Sequence, residues 1–379
     1  MQEIRYFDSA ATTIMSGEAL DVYQETARTY IGNPSSLHDE GIKAKQRLEQ
    51  ARGELADLLE VQAEAITFTS GASEANAIVF NSMLWRLQKP HVIISGIEHS
   101  SVKEYERLMK QLGWKVTTLK APGGFIRPED LRKALTKQTR LVSLMLVNNV
   151  VGTIQDIGQL VGVVRSFEQE MGGRKIHFHT DATQALGKIP FSLDSLNVDS
   201  AAFSAHKFHG PRGVGFLYNK DPALESLSRG GGQEGGMRPG TENLAGITSM
   251  VIAAKHAITK QGENEKQIVT LNTLMRRKLA SLTIISPEHD CSPYILNIAT
   301  GSLPSEVFTR MLYDRGFCVS SGSACSNNAK QKGEGVMESM QITPELAKTS
   351  IRISFSADTT ISDTEALADA ITTLIKEHA

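Results

Sequence analysis

The sequence lacks several features that mark particular classes of protein. Its 379 residues include only three cysteines, Cys291, Cys318 and Cys325. They are too few and too scattered for a disulfide framework or a zinc site, so a reducing compartment is expected. The net charge is −2, which argues against nucleic-acid or membrane-surface binding driven by charge. No apolar run approaches the length of a transmembrane helix.

The amino terminus also lacks a basic region followed by an apolar core, so we expect no signal peptide and a cytoplasmic protein. The length suggests one large domain or about two smaller ones. With 40% hydrophobic residues, the chain can bury a substantial core. Internal repeats and low-complexity segments are not evident.

Predicted strands and helices alternate between residues 65 and 181, which is typical of a largely parallel sheet with helices on both faces. The predicted strand 141–147 is strongly apolar, as in a strand buried on both faces. The later part of the chain alternates differently and predicts a small α+β domain. We therefore expect a large domain over residues 16–258 and a small domain over 259–379, with segment 1–15 packing against the small domain.

Two charged residues stand at the ends of predicted strands. Asp181 ends one strand, and Lys207 follows the short strand 200–205. A buried lysine is costly to desolvate, but the cost is tolerable if its amine is held as a Schiff base. An upstream aspartate could keep a pyridine nitrogen protonated, so the pair suggests pyridoxal phosphate (PLP). Taken singly, a surface lysine and a helix-capping aspartate are the better interpretations.

The surrounding motifs resemble those of a known family. The segments DATQ (181–184) and SAHKFHGPRGVG (204–215) are similar to the cofactor segments of cysteine desulfurases, which are fold-type I PLP enzymes of the class V aminotransferase family. The resemblance implies an α/β large domain with a mainly parallel seven-stranded sheet. It also implies that Asp181 pairs with the pyridine nitrogen and that Gln184 hydrogen-bonds the phenolic oxygen of PLP. Because Ser204 and His206 alternate with Ala205, both could face the cofactor phosphate.

Two further segments are candidates for binding the phosphate group of PLP. A small-residue turn, SGASE (70–74), lies between a predicted strand and a predicted helix, where free backbone N–H groups favour an anion. Alone this signal is weak, but with Lys207 it predicts a cradle containing Ala72 and Ser73. The glycine-rich stretch from Arg229 to Thr241 reads as a flexible loop by composition. In the resembled family the equivalent of Thr241 reaches the partner chain's cofactor, which implies a homodimer with shared sites.

Two more candidates follow predicted strands, where parallel sheets place their sites. His99 lies past the strand 91–95; a lone histidine is more often structural, but the resemblance implies that it stacks on the PLP ring and moves protons. Asn149 follows the strand 141–147, and the resemblance places it near the phenolic oxygen and the substrate. Val150 departs from the family, which usually has glutamate there.

The candidate sulfur-handling residues lie near the carboxyl terminus. Cys325 ends SSGSAC (320–325) and precedes a polar stretch without periodicity, 326–335, which predicts a mobile loop. The motif resembles the catalytic loop of the long-loop desulfurase group, whereas Cys291 and Cys318 fit small buried hydrophobes. Arg352 alternates with isoleucines, so it requires a carboxylate partner. An internal salt bridge is about as well supported as the role that the resemblance implies, a clamp for the substrate α-carboxylate.

These features together predict a PLP-dependent cysteine desulfurase. It would convert L-cysteine to L-alanine and leave a persulfide on Cys325, with Lys207 as base and acid. The sulfur would pass to an acceptor protein, either an iron–sulfur scaffold or a thiolation enzyme, without direct contact with nucleic acid or membrane. The alternatives are selenocysteine lyase or aminotransferase chemistry in the same fold, and a non-catalytic interaction protein.

Overall fold

The structure is a computed structural model that describes residues 4–84, 90–322 and 335–378. Its strands are β1 (Arg5–Tyr6), β2 (Ile66–Thr69), β3 (His91–Ser95), β4 (Lys115–Leu119), β5 (Thr139–Ser143), β6 (His177–Asp181), β7 (Ser200–Ser204), β8 (Gly215–Asn219), β9 (Thr283–Ile284), β10 (Ile295–Ala299), β11 (Phe317–Cys318), β12 (Ser320–Ser321) and β13 (Ser350–Ser354).

The helices are α1 (Gly17–Thr29), α2 (Asp39–Leu59), α3 (Ala72–Leu84), α4 (Ser100–Gln111), α5 (Pro128–Ala134), α6 (Ile157–Glu170), α7 (Leu193–Leu196), α8 (Leu244–Thr259), α9 (Gln261–Lys278), α10 (Ser305–Asp314), α11 (Val336–Ser339), α12 (Pro344–Lys348) and α13 (Ile361–Glu377). Local sequence explains several of their ends. Ser16, for example, caps α1 by accepting a hydrogen bond from the Ala19 amide.

A seven-stranded sheet forms the centre of the molecule, with the order β2-β8-β7-β6-β5-β3-β4. The five strands from β7 to β4 are parallel, and β8 runs antiparallel to both of its neighbours. This confirms the expectation of a mainly parallel sheet. The carboxyl ends of the parallel strands meet at one edge, which brings the residues after β3, β5, β6 and β7 together.

Apolar clusters cover both faces of this sheet. One buries side chains of α1, α2, α6 and α8 against it, and the other buries side chains of α3 and α4. Such double burial requires apolar side chains on both faces of a strand. Ile93 and Val142 lie in the first cluster, and Val92, Ile94 and Leu141 lie in the second. The site residues therefore project from a rigid support.

A second sheet has the order β12-β13-β10-β9, and its apolar core includes Phe7 and Ala10 near the amino terminus. Strand β1 pairs in parallel with β11, and Asp8 forms an isolated bridge with Ser354. These contacts hold residues 5–10 beside β13. Within the described ranges, no helix is long and apolar enough to span a bilayer.

Two local predictions were wrong in detail. The strand predicted to reach residue 147 ends at Ser143, although the Leu144 and Leu146 amides still donate to the His179 and Asp181 carbonyls. The strand predicted to end at residue 205 ends at Ser204, and Lys207 follows on a single 3-10 turn. The apolar pattern continued past the end of β5 because the following residues are also buried.

Candidate active site

A cavity of about 560 Å³ opens at the carboxyl edge of the large sheet. Its wall includes most of the predicted site residues, although they come from distant parts of the chain. They are Ala72, Ser73, His99, Asn149, Asp181, Gln184, Ser204, His206, Lys207 and Arg352. The fold brings them together because β5, β6 and β7 end at the same edge.

Lys207 lies in the cavity wall and is half-buried. Its Nζ donates to the carbonyl oxygens of Ala10 and Ala11, each at 2.7 Å. The 3-10 turn places the amine beside the amino-terminal segment, which therefore forms part of the site. Sequence reasoning did not predict this contribution from residues 10 and 11.

Asp181 is buried at the end of β6. Its Oδ1 accepts from the Thr183 amide at 3.0 Å, and its Oδ2 accepts from Asn76 Nδ2 at 3.0 Å. Asn76, which the sequence did not single out, lies inside α3 and is fully buried. The carboxylate is therefore held by two donors while it faces the cavity.

Gln184 is held by a second lysine. Its Nε2 donates to the Ala10 carbonyl at 2.9 Å, and its Oε1 accepts from Lys188 Nζ at 2.7 Å. Burial lowers the pKa of Lys188 to about 7, helped by repulsion from Lys207 and Arg352. Lys188 therefore fixes the orientation of the Gln184 amide in the cavity wall.

The opposite end of the cavity is suited to an anion. Helix α3 begins at Ala72, so the N–H groups of Ala72 and Ser73 have no acceptor within the helix. Gly71 precedes it at φ 147°, and a Cβ there would stand 3.2 Å from Ser204 Oγ. His206 pairs with Thr12 Oγ1 at 3.1 Å, and burial lowers its pKa to about 4, further lowered by Lys207.

His99 caps α4 at the cavity wall. Its Nδ1 accepts from the Ser101 amide at 3.2 Å, so a neutral ring carries its proton on Nε2. The neighbouring Glu98 is buried, and its Oε1 accepts from the Met145 amide at 2.9 Å and from Ser95. Burial raises the pKa of Glu98 to about 8. A protonated carboxyl thus ties the His99 loop to the end of β5.

Arg352 forms the end of the cavity that faces the second sheet. Its Nη1 donates to the Asn149 carbonyl at 2.9 Å, and its Nη2 donates to Asp8 Oδ1 at 2.7 Å and to Ser320 Oγ at 3.0 Å. Its buried Nε has no hydrogen-bond partner among the described residues. The internal salt bridge considered from the sequence is therefore present, and it leaves one buried donor of the guanidinium without a partner among the described residues.

Two predicted site residues do not line the cavity described here. Thr241 is exposed. Cys325 lies outside the described residues, so its prediction stands on the sequence alone. Burial raises the pKa of Cys318, and it raises the pKa of Cys291 to about 11. Neither of these two thiols is suited to act as a thiolate at neutral pH.

The cavity also includes residues that sequence reasoning missed. They are mainly Thr12, Ser101, Met145, Val147, Thr183, Arg212 and Ser320, with Asn76 and Asp8 just behind the wall. Asp8 could have been noticed as a carboxylate in a small-residue segment, but nothing local indicates its partner. Asn76 carries no motif signal because it lies within a helix.

The family is defined by comparison with known proteins. The family model described as Aminotransferase class-V matches residues 5–367, which is nearly the whole chain. The chain therefore belongs to the class-V aminotransferase family. Its curated relatives in that family are cysteine desulfurases, which are PLP-dependent enzymes.

Individual relatives agree with this placement. The chain is 33% identical over 380 residues to cysteine desulfurase IscS of Dictyoglomus turgidum, covering 98% of this chain and 94% of that protein. A solved NifS-like protein is 32% identical with a TM-score of 0.91, covering 99% of this chain and 100% of that one. The structure of SspA in complex with cysteine is 29% identical with a TM-score of 0.80, covering 94% and 100%.

The cavity fits PLP on its own chemistry. It offers an amine at Lys207, a carboxylate at Asp181, and an anion-binding helix start at Ala72. Thr183 Oγ1 is buried without a hydrogen-bond partner among the described residues, so the wall holds an unsatisfied polar group that a ligand could pair. A phosphate, a pyridine nitrogen and an aldehyde each have a matching group.

Proposed function

We propose that this cavity binds PLP and L-cysteine, and that the chain converts cysteine to alanine while passing its sulfur to Cys325. The observation that carries the proposal is the shared cavity of Lys207, Asp181 and Arg352. An amine, a carboxylate and a guanidinium on three different elements would otherwise have no reason to converge. The complex of SspA with cysteine supports the choice of substrate.

Each predicted residue has a role in holding the cofactor. Lys207 would attach it covalently, Asp181 would accept a hydrogen bond from the pyridine N–H, and Gln184 would donate to the phenolic oxygen. Ser73, Ser204, His206 and the start of α3 would hold the phosphate, with Ala72 contributing its backbone. His99 would stack on the ring. When bound, PLP supplies an electron sink for charge that develops on the substrate α-carbon.

Arg352 would hold the substrate α-carboxylate. Its unpaired Nε and its Nη2 form the side of the guanidinium that a carboxylate can take with two parallel hydrogen bonds. Asp8 occupies Nη2 at present, so the substrate carboxylate would exchange with Asp8 there. Asn149, whose carbonyl accepts from Nη1, keeps the guanidinium in place during that exchange.

The reaction then needs one proton carrier and one nucleophile. Lys207 Nζ takes the proton from the substrate α-carbon and returns a proton as alanine forms, with His99 as a second proton carrier. The Cys325 thiolate attacks the substrate sulfur, so a sulfur–sulfur bond forms as the carbon–sulfur bond breaks. Cysteine and the enzyme thiol thus give alanine and an enzyme persulfide, which balances without another oxidant.

Mass spectrometry of the holoenzyme after cysteine treatment without reductant tests this role of Cys325. We expect the added sulfur on Cys325 and none in Cys325→Ser, which should retain PLP because Lys207 and Asp181 are intact. Cys318→Ser is the matched control and should retain most activity, because burial disfavours its thiolate. Persulfide mainly on Cys318 or Cys291 would contradict the proposal, as would undiminished turnover in Cys325→Ser.

The assembly and the biological setting are further parts of the proposal. The domains divide at residues 15 and 258, the enzyme is a cytoplasmic homodimer, and Thr241 reaches the partner's cofactor. The exposed apolar side chains of Ile31 and Leu37 support the proposal that a partner chain covers this surface. The persulfide would supply an iron–sulfur scaffold or a thiolation enzyme. A monomer at micromolar concentration that is fully active and holds PLP tightly would contradict the shared site.

A further inference from the structure

A chain of hydrogen bonds leads from the candidate active site through the interior of the large sheet. Its six members are all buried, and none beyond the first lines the cavity. Neighbouring members are between 2.7 and 3.0 Å apart. In order they are Asp181, Asn76, His179, Ser200, His177 and Asp221. Such a network is costly unless every member is satisfied, so the directions of its protons can be worked out.

The first links fix the Asn76 amide. Asn76 Nδ2 donates to Asp181 Oδ2 at 3.0 Å and to Ser101 Oγ at 2.9 Å, so both amide protons are used. Its Oδ1 then accepts from His179 Nε2 at 2.9 Å. Burial lowers the pKa of His179 to about 3, which leaves this ring neutral and its Nδ1 without a proton.

The remaining links fix the far end. Ser200 Oγ lies 2.8 Å from His179 Nδ1, which lacks a proton, so the hydroxyl donates there. The same oxygen must then accept from His177 Nε2 at 2.7 Å. His177 Nδ1 faces Asp221 Oδ2 at 2.8 Å, and this hydrogen bond holds the pKa of Asp221 well below its usual range. A carboxylate can only accept, so His177 carries protons on both nitrogens.

We propose that His177, Ser200 and His179 are positioning residues that keep both amide protons of Asn76 directed at the active-site side, and so keep Asp181 an acceptor for the pyridine N–H of PLP. The proposal rests on the proposed function. The ion pair of His177 and Asp221 fixes the donor-to-acceptor direction of the hydrogen bonds in this network. If the direction reversed, Asn76 would present its carbonyl oxygen to the Asp181 carboxylate, and two acceptors would face each other.

The test compares two buried serines on β7 and β5, the two strands that flank β6 in the sheet. Ser200→Ala removes the link between the two histidines. Ser143→Ala is the matched control, because Ser143 is equally buried, pairs with His179 in the sheet register, and has an Oγ without a partner among the described residues. Both variants lose one hydroxyl and nothing else. His177→Gln is a second variant, which keeps a donor towards Ser200 but removes the charge.

The main readout is the ¹⁵N chemical shift of the pyridine nitrogen in holoenzyme loaded with labelled PLP. We expect Ser200→Ala to shift this signal towards the unprotonated nitrogen and to raise the PLP dissociation constant about tenfold, which corresponds to about 1.4 kcal/mol. His177→Gln should shift it in the same direction, and Ser143→Ala should match wild type. Thermal unfolding of each variant shows whether it is folded.

The outcomes separate this inference from the proposed function. If wild type gives a protonated pyridine signal and Ser200→Ala is indistinguishable from Ser143→Ala in both measurements, the positioning role is wrong and the proposed function stands. If wild type shows no bound PLP, the proposed function is wrong and this inference fails with it. If the Ser200→Ala variant does not fold, the ¹⁵N chemical shift of the pyridine nitrogen in His177→Gln decides whether the positioning role is correct.

Discussion

Arg52 and Arg352 are two buried arginines that bind carboxylates, and the surroundings of the two pairs differ. Arg52 is 9% exposed and Arg352 is 3% exposed. Arg52 binds both oxygens of Glu234 at 2.8 Å, and it also donates to Glu49 at 3.1 Å and to the Ile66 carbonyl at 2.9 Å. Glu234 accepts in addition from the Phe68 amide at 2.7 Å. Other protein groups thus satisfy the donors of Arg52 and the acceptors of Glu234.

Arg352 has a less complete set of partners. Asp8 takes only one side of the guanidinium, the carboxylate side chain is 21% exposed, and Nε stays unpaired within the described ranges. Arg352 also lines the cavity, whereas Arg52 does not. A buried charge at a cavity wall with an unsatisfied donor can still pair with a ligand, whereas the protein itself already satisfies a fully paired one.

The largest expected effect comes from breaking the complete pair. Glu234→Gln leaves the buried Arg52 guanidinium without a carboxylate, so we expect a loss of about 3–5 kcal/mol in the free energy of unfolding. Urea unfolding of the holoenzyme measures this loss. Glu49→Gln is the control, because Glu49 is an exposed partner of the same arginine and should cost less than about 1 kcal/mol.

The equivalent substitution of carboxylate by amide at the cavity, Asp8→Asn, tests the comparison at the second arginine. Asp8→Asn keeps an acceptor oxygen for Arg352 and Ser320, and the Asp8 side chain is partly exposed, so this substitution should cost less stability than Glu234→Gln. Equal losses in Glu234→Gln and Asp8→Asn would show that the two arginine sites do not differ as described.

The next effect concerns the substrate. Arg352→Gln removes the charge that would hold the α-carboxylate, so KM for cysteine should rise about 30- to 100-fold, which corresponds to about 2–3 kcal/mol. Steady-state kinetics measures this change. Arg310→Gln, at an exposed arginine on α10, is the control and should leave KM unaltered. An unchanged KM in Arg352→Gln would remove Arg352 from substrate binding.

A smaller effect should follow pH through Glu98. Its pKa is raised by burial to about 8 in the folded protein, against the usual 4.5. The folded state therefore holds a proton that the unfolded state has lost, so this stabilisation is complete below about pH 4.5 and declines as the pH rises towards 8. Between about pH 6 and 7.5 the wild type should lose about 2 kcal/mol more than Glu98→Gln.

Urea unfolding of the two proteins across this pH range measures the difference. Glu98→Gln keeps an acceptor for the Met145 amide and a neutral side chain, so it should not show this component. Parallel pH profiles for wild type and Glu98→Gln would mean that Glu98 is ionised in the folded protein.

The sequence indicated the central parts of the site because they follow buried strands. Asp181 and the strand before Lys207 could be placed at one sheet edge from the alternation of strands and helices, and the structure has them there. Asp8 could not be paired with Arg352, because the contact joins residues 344 positions apart. Asn76 could not be found, because its importance arises from packing α3 against β6 and not from any local pattern.

The central claim is that the cavity holds PLP on Lys207 and takes cysteine as substrate. Titration of the purified holoenzyme with L-cysteine, followed by visible absorbance and by alanine and sulfide release in the presence of reductant, tests it most directly. We predict a saturable change in absorbance, with alanine and sulfide formed in equal amounts, and neither in Lys207→Ala. Absence of a spectral response in wild type, or a response without alanine, would contradict the account.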